Sequence, residues 1–175
     1  MNHNKKINNI QCNDFKKITG FTLVESLVAI SILLVSVLSG FILVTRILAQ
    51  VNVIQDRLTA SHLAQEGIEL VRQIRDTNFI QQRLWNNGLV LGEHLVSAAQ
   101  PLQLLPISNN PFLTYNNSTG IFGYGAGEIT NFRRRIIITQ ISGQQIRVQS
   151  IVSWQIRGRQ SSVTVETNLF NWLGN

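Results

Sequence analysis

Between Ser26 and Thr45 the chain runs for 20 residues without a charged side chain. Few globular proteins contain such a run, and its length matches what a helix needs to cross a bilayer, about 20 residues. Whatever this chain folds into must give the run a lipid or protein environment. No proline precedes Pro101, so none interrupts a helix in the first part of the chain. The overall hydrophobic share, 44%, conceals how unevenly the apolar residues are spread.

Charge is segregated as well. All four lysines, Lys5, Lys6, Lys16 and Lys17, precede the apolar run. With Asp14 they give residues 1–20 a net +3; eleven arginines against eight acids give the remainder +3, together the +6 of the whole. Half of the basic excess therefore sits in a short polar segment that is too poor in apolar residues to bury a core. Positive charge ahead of an apolar run keeps that side in the cytoplasm. The basic balance is then weak support for a nucleic-acid partner. The single cysteine, Cys12, excludes an intrachain disulfide and a cysteine-based zinc site. His3, His62 and His94 share no helical spacing, so no metal or cofactor is expected. No nucleophile–base spacing or paired carboxylates point to an enzyme.

An ordinary secretory signal would be cut after the apolar run, near Val37-Leu38-Ser39. A lipoprotein signal fails, because Cys12 lies before the run instead of after it. A third reading rests on the junction Lys16-Lys17-Ile18-Thr19-Gly20-Phe21-Thr22-Leu23-Val24-Glu25. This closely resembles the cleavage and methylation site of type IV prepilins and of type II secretion pseudopilins. The resemblance implies a basic leader ending in Lys16 and Lys17, cleavage by prepilin peptidase between Gly20 and Phe21, and N-methylation of Phe21. It also implies that Glu25 recruits and aligns neighbouring subunits by pairing with the Phe21 amine. Gly20 suits such a cut physically, because a residue without a side chain lets a protease approach the backbone.

Glu25 can also be weighed without the resemblance. An ionised side chain at bilayer depth costs roughly 2.5–3.5 kcal/mol on insertion scales. No lysine, arginine or histidine lies within two helical turns after it. A carboxylate snorkelling to the interface and a carboxylate paired with the new amine are both open readings.

The helical pattern continues past Thr45 through Ile47, Val51, Ile54 and Leu58. An apolar stripe then follows at Ala60, Leu63, Ala64, Gly67, Ile68, Val71 and Ile74. One helix of about 57 residues, roughly 85 Å, is predicted from Phe21 to near Thr77-Asn78. Ala64 to Arg72 resembles the helix of minor pilins of the PilV kind and of a minor pseudopilin group. Residues 78–131 read as an irregular connection, with turns at Asn86-Asn87-Gly88 and Asn116 to Gly120 and a flexible turn at Gly123, Gly125 and Gly127. Alternation from Arg135 onward predicts an antiparallel meander of three or four strands, turning at Gly143 and Gly158. Arg133-Arg134-Arg135 reads as a solvated charge run at a strand edge, with a phosphate-holding patch as the alternative.

The expected architecture is α+β and type IV pilin-like. It comprises a cleaved leader 1–20, a transmembrane half 21–45, an amphipathic half 46–77, the connection 78–131 and a sheet 132–175. The expected function is that of a minor pilin or pseudopilin, a structural subunit of a filament. The alternative is a DNA-binding minor pilin of an uptake pilus. The expected partners are prepilin peptidase, other pilin or pseudopilin subunits, membrane lipid and an inner-membrane assembly platform with its ATPase. The expected location is the bacterial inner membrane, crossed once with the N-terminus cytoplasmic, and then a surface or periplasmic filament.

Overall fold

The computed structural model describes residues 20–156 and 158–172. Lys16, Lys17, Cys12 and the rest of the expected leader before Gly20 lie outside the described residues. One helix, α1 (Leu23–Ile80), is followed by seven strands. These are β1 (Gly92–Ser97), β2 (Gln100–Pro106), β3 (Phe112–Asn116), β4 (Ile121–Gly123), β5 (Glu128–Ser142), β6 (Gln145–Ile156) and β7 (Arg159–Phe170). The chain divides into two compact units, Met1–Ile47 and Leu48–Asn175, described here in turn.

The described part of the first unit is the apolar part of α1, and its side chains have no protein cover. Leu23, Leu33, Val37 and Phe41 are each more than half exposed, as are most of their neighbours. The segment is long and apolar enough to cross a membrane. Its serines satisfy themselves within the helix. The hydroxyls of Ser31, Ser36 and Ser39 donate to the carbonyls of Leu27, Ile32 and Val35 at 2.7–2.8 Å, and Thr45 donates to Ile42 at 2.9 Å. Back-bonding of this kind lets a hydroxyl sit in an apolar medium without an unmet donor.

The second unit packs the rest of α1 on one face of an antiparallel sheet. Its centre is β5, which pairs with β6 along one side and with β1 and β3 along the other. Strand β2 extends the sheet beyond β1, β4 extends it beyond β3, and β7 beyond β6. Alternation places Phe132, Arg134, Ile136 and Ile138 of β5 under the helix. The helical stripe Ala60, Leu63, Ala64, Ile68, Val71 and Ile74 is fully buried against them, as the 3.6 period requires. Two apolar clusters result. One gathers Ile68, Val71, Ile74, Ile136, Ile138 and Val148; the other gathers Ala60, Leu63, Ala64, Leu113, Val152 and Trp154. At the junction between them stands Gly67. A Cβ there would lie 2.5 Å from Ser150 Oγ and 3.2 Å from Arg134 Cδ, so only glycine lets the helix approach the sheet this closely.

The helix ends three residues beyond Thr77, at Ile80. There Gln82 takes a positive φ of 55° and the Asn78 amide donates to the carbonyls of Trp85 and Asn87 at 3.2 and 2.7 Å. The larger departure is in 78–131. This region is not an irregular connection, because it holds β1 to β4 and the start of β5. Its strands are short, and β1 finds its principal partner over forty residues away, with Gly92 opposite Ile138. Local alternation cannot display such pairing. Pro101 and Pro106 bound β2, an edge strand, where a missing N–H is tolerated. Gly123 lies in β4, while Gly125 and Gly127 take φ values of 131° and 143° in the bend that follows. The sheet has seven strands instead of three or four, in the expected antiparallel arrangement.

Candidate functional site

Gly20, Phe21 and Thr22 precede the first helical residue, Leu23. The helix starts there because Thr22 caps it. Its hydroxyl accepts the Glu25 backbone N–H at 3.2 Å, and its carbonyl accepts the Ser26 N–H at 3.1 Å. Thr22-Leu23-Val24-Glu25 therefore has the T-x-x-E spacing of a capping box, with Glu25 at the third helical position. That signal lies in four consecutive residues of the sequence and gives Glu25 a helix-start role besides its charge. A carboxylate in the first turn is also favoured by the helix dipole.

The geometry brings Phe21 and Glu25 to the same end of one helix, both exposed. The Glu25 carboxylate has no hydrogen bond or ion pair among the described residues, and the next basic residue along the helix is Arg46. Nothing lies within 4 Å of where a Cβ on Gly20 would be. The fold itself therefore does not demand glycine at that position. A Gly–Phe bond held outside the helix is open to an approaching enzyme, whereas a helical bond would first have to unwind.

The second unit holds a polar cluster that the sequence reading placed wrongly. Arg133, Arg134 and Arg135 are neither at a strand edge nor one patch, because they lie inside β5 and consecutive residues face opposite ways. Arg134 is completely buried. Its Nη1 donates to the Leu63 carbonyl at 3.1 Å and to Glu66 Oε2 at 2.9 Å, and its Nη2 donates to the Val96 carbonyl at 2.8 Å. One guanidinium thus ties α1, β1 and β5 together. The Tyr124 hydroxyl donates to the Arg134 carbonyl at 2.9 Å. Burial pushes the Tyr124 pKa above its ordinary value of 10.0, against the opposing charge of Arg134.

That shift has a testable sign. The folded state retains the Tyr124 proton where the unfolded chain has lost it, so stability from this group is present below pH 10.0 and falls as pH rises beyond it. No lysine follows residue 20, so lysine ionisation does not mask this effect in the second unit. Chemical unfolding of the parent should show stability declining above about pH 10, and Tyr124→Phe should flatten that decline. An unchanged slope in the variant would exclude the buried phenol as its source.

A model of the prokaryotic N-terminal methylation motif matches residues 15–41. The match runs from the leader junction through most of the apolar run and leaves the second unit outside it. Comparison with curated proteins and with solved structures finds no match. The motif supports a pilin- or pseudopilin-type structural subunit that carries its own apolar helix. With one long N-terminal helix followed by an antiparallel sheet of seven strands, it supports a type IV pilin-like family for this chain. It implies processing by prepilin peptidase and assembly with other pilin subunits. Together with the apolar helix it suggests membrane anchoring followed by a periplasmic or surface filament.

Proposed function

We propose that the chain is a minor pilin or pseudopilin of a type IV pilus or a type II secretion-like filament. The observation that carries this reading is the junction itself. Gly20-Phe21 stands outside the helix, Thr22 caps the next turn, Glu25 lies within that turn, and an uncovered apolar run follows. In this reading residues 1–20 form a basic leader held in the cytoplasm by Lys16 and Lys17. Prepilin peptidase cuts after Gly20 and methylates Phe21. Residues 21–45 hold the subunit in the inner membrane, and 46–77 support the sheet. An assembly platform with its ATPase then moves the subunit into the filament, where Glu25 meets the Phe21 amine of its own chain or of a neighbour. The resemblance of Ala64 to Arg72 to minor-pilin helices supports the minor role, and Glu66 and Gly67 within it are the residues that meet Arg134 and Ser150. The DNA-binding alternative loses its main support, because Arg134 is buried and unavailable to phosphate.

Mass spectrometry of the mature amino terminus tests the proposal. The expected chain begins with methylated Phe21, and Gly20→Leu leaves only the full precursor in the membrane fraction. A mature chain beginning near Gly40 would instead identify an ordinary secretory signal.

A further inference from the structure

The sheet face turned away from α1 carries a polar cleft that filament assembly does not account for. Register places Arg133 beside Ser153 of β6 and Phe112 of β3, with Gln155 opposite Gln160 one step along. The segment before β3 rises over this surface and forms a wall at Asn110. The cleft encloses about 310 Å³ and is lined by side chains including Asn131, Ser153, Gln155 and Gln160. A more open groove of about 750 Å³ adjoins it and shares Phe112 and Arg133. Among the described residues, no acidic side chain lines either one.

Two features suggest an occupant. The Arg133 guanidinium lies over the Phe112 ring, 4.0 Å from its centroid, and its Nη1 donates to the Asn110 carbonyl at 3.1 Å. Its Nε and Nη2 have no partner among the described residues, so a fixed, stacked guanidinium keeps donors free. A guanidinium so held matches a carboxylate with two parallel hydrogen bonds. The second feature is a set of side-chain amides, Asn131, Gln155 and Gln160, that line the same cleft.

We propose that this cleft binds an acidic saccharide. Arg133 takes the sugar carboxylate, and the amides of Gln155 and Gln160 serve the hydroxyls. Side-chain amides suit this task, because each offers both donors and an acceptor to a group that is itself both. A nucleic-acid strand fits the surface less well. It requires several cations along its backbone, whereas Arg135, on the same face of β5 as Arg133, is engaged with Glu93 at 3.1 Å. One face of Phe112 is already taken by Arg133 and cannot stack a base.

Calorimetric titration of the detergent-purified full chain tests this, independently of filament assembly. The probes are tetragalacturonate and sialyllactose as acidic saccharides, maltotetraose as the neutral one, and an oligothymidylate. At least one acidic saccharide should bind about tenfold tighter than maltotetraose. Arg133→Gln should abolish that preference. Because Arg133 also pins the wall, Asn110→Asp provides a second variant of the same size, and its added negative charge should weaken acidic saccharides about tenfold. Arg135→Gln should leave binding within about twofold, as expected of an exposed, already paired arginine. Failure of both acidic saccharides to bind would overturn the proposal, as would equal affinity for maltotetraose or indifference to Asn110→Asp. Tighter binding of oligothymidylate that disappears in Arg133→Gln would assign the cleft to nucleic acid instead.

Discussion

Glu66→Ala is expected to destabilise the second unit by roughly 3–5 kcal/mol, a large part of the stability of a domain this size. Arg134 is wholly buried, and Glu66 is its only anionic partner among the described residues. Losing the carboxylate leaves a guanidinium under the helix with only the carbonyls of Leu63 and Val96. Arginine does not discard its proton to escape such a site, so the desolvation cost stays in the folded state. The position is made tighter by Gly67, whose missing side chain lets Ser150 and the Arg134 stem lie against the helix backbone. The double variant Glu66→Leu/Arg134→Met should recover at least half of the loss, because apolar groups of similar size remove both charges together. Denaturant unfolding in mild detergent would measure all three variants. A single-variant loss below about 1 kcal/mol would show that water or backbone carbonyls already satisfy Arg134, and that Glu66 is only a partly exposed companion.

How far these features could be read from the chain follows from the range of the interactions behind them. The apolar run and the stripe from Ala60 to Ile74 are local periodicities, and both emerged as one helix with the expected faces. The β5–β6–β7 hairpins were legible for the same reason, since neighbouring strands with tight turns display their own alternation. The arginine triplet is not legible from alternation that becomes visible only at Arg135; with the strand beginning at Glu128, the period of two buries Arg134 and turns Arg133 and Arg135 outward. No local rule could have announced Glu66 as its partner, 68 residues away. Nor could Gly67 be told from an ordinary weak point in a helix until Ser150 was seen against it. Thr22 is the opposite case. Its capping role follows from four consecutive residues and required only that Glu25 be read as a helix-start residue as well as a charge.

That double reading of Glu25 separates two effects that a simple deletion would merge. Glu25→Leu should reduce incorporation into sheared filaments about tenfold or more, while processed protein accumulates in the inner membrane. Insertion should not suffer, since the change removes a charge that costs roughly 2.5–3.5 kcal/mol at bilayer depth. Cleavage should survive too, because the Gly20–Phe21 bond is held outside the helix by Thr22, not by the carboxylate. Leucine, however, removes the side chain that the T-x-x-E spacing offers to a capping box as well as the proposed attraction to the Phe21 amine. Glu25→Gln resolves the two. Glutamine serves at the third position of a capping box but carries no charge. Loss of the cap is worth about 1 kcal/mol, whereas attraction between the carboxylate and an amine strengthens steeply as water is excluded. If Glu25 recruits through charge, the glutamine variant should fail in filaments as fully as leucine does, and Thr22→Ala should retain most incorporation. If glutamine restores filaments and Thr22→Ala loses them, the residue serves the helix start alone. Immunoblots of the filament and inner-membrane pools for these three variants distinguish the outcomes directly.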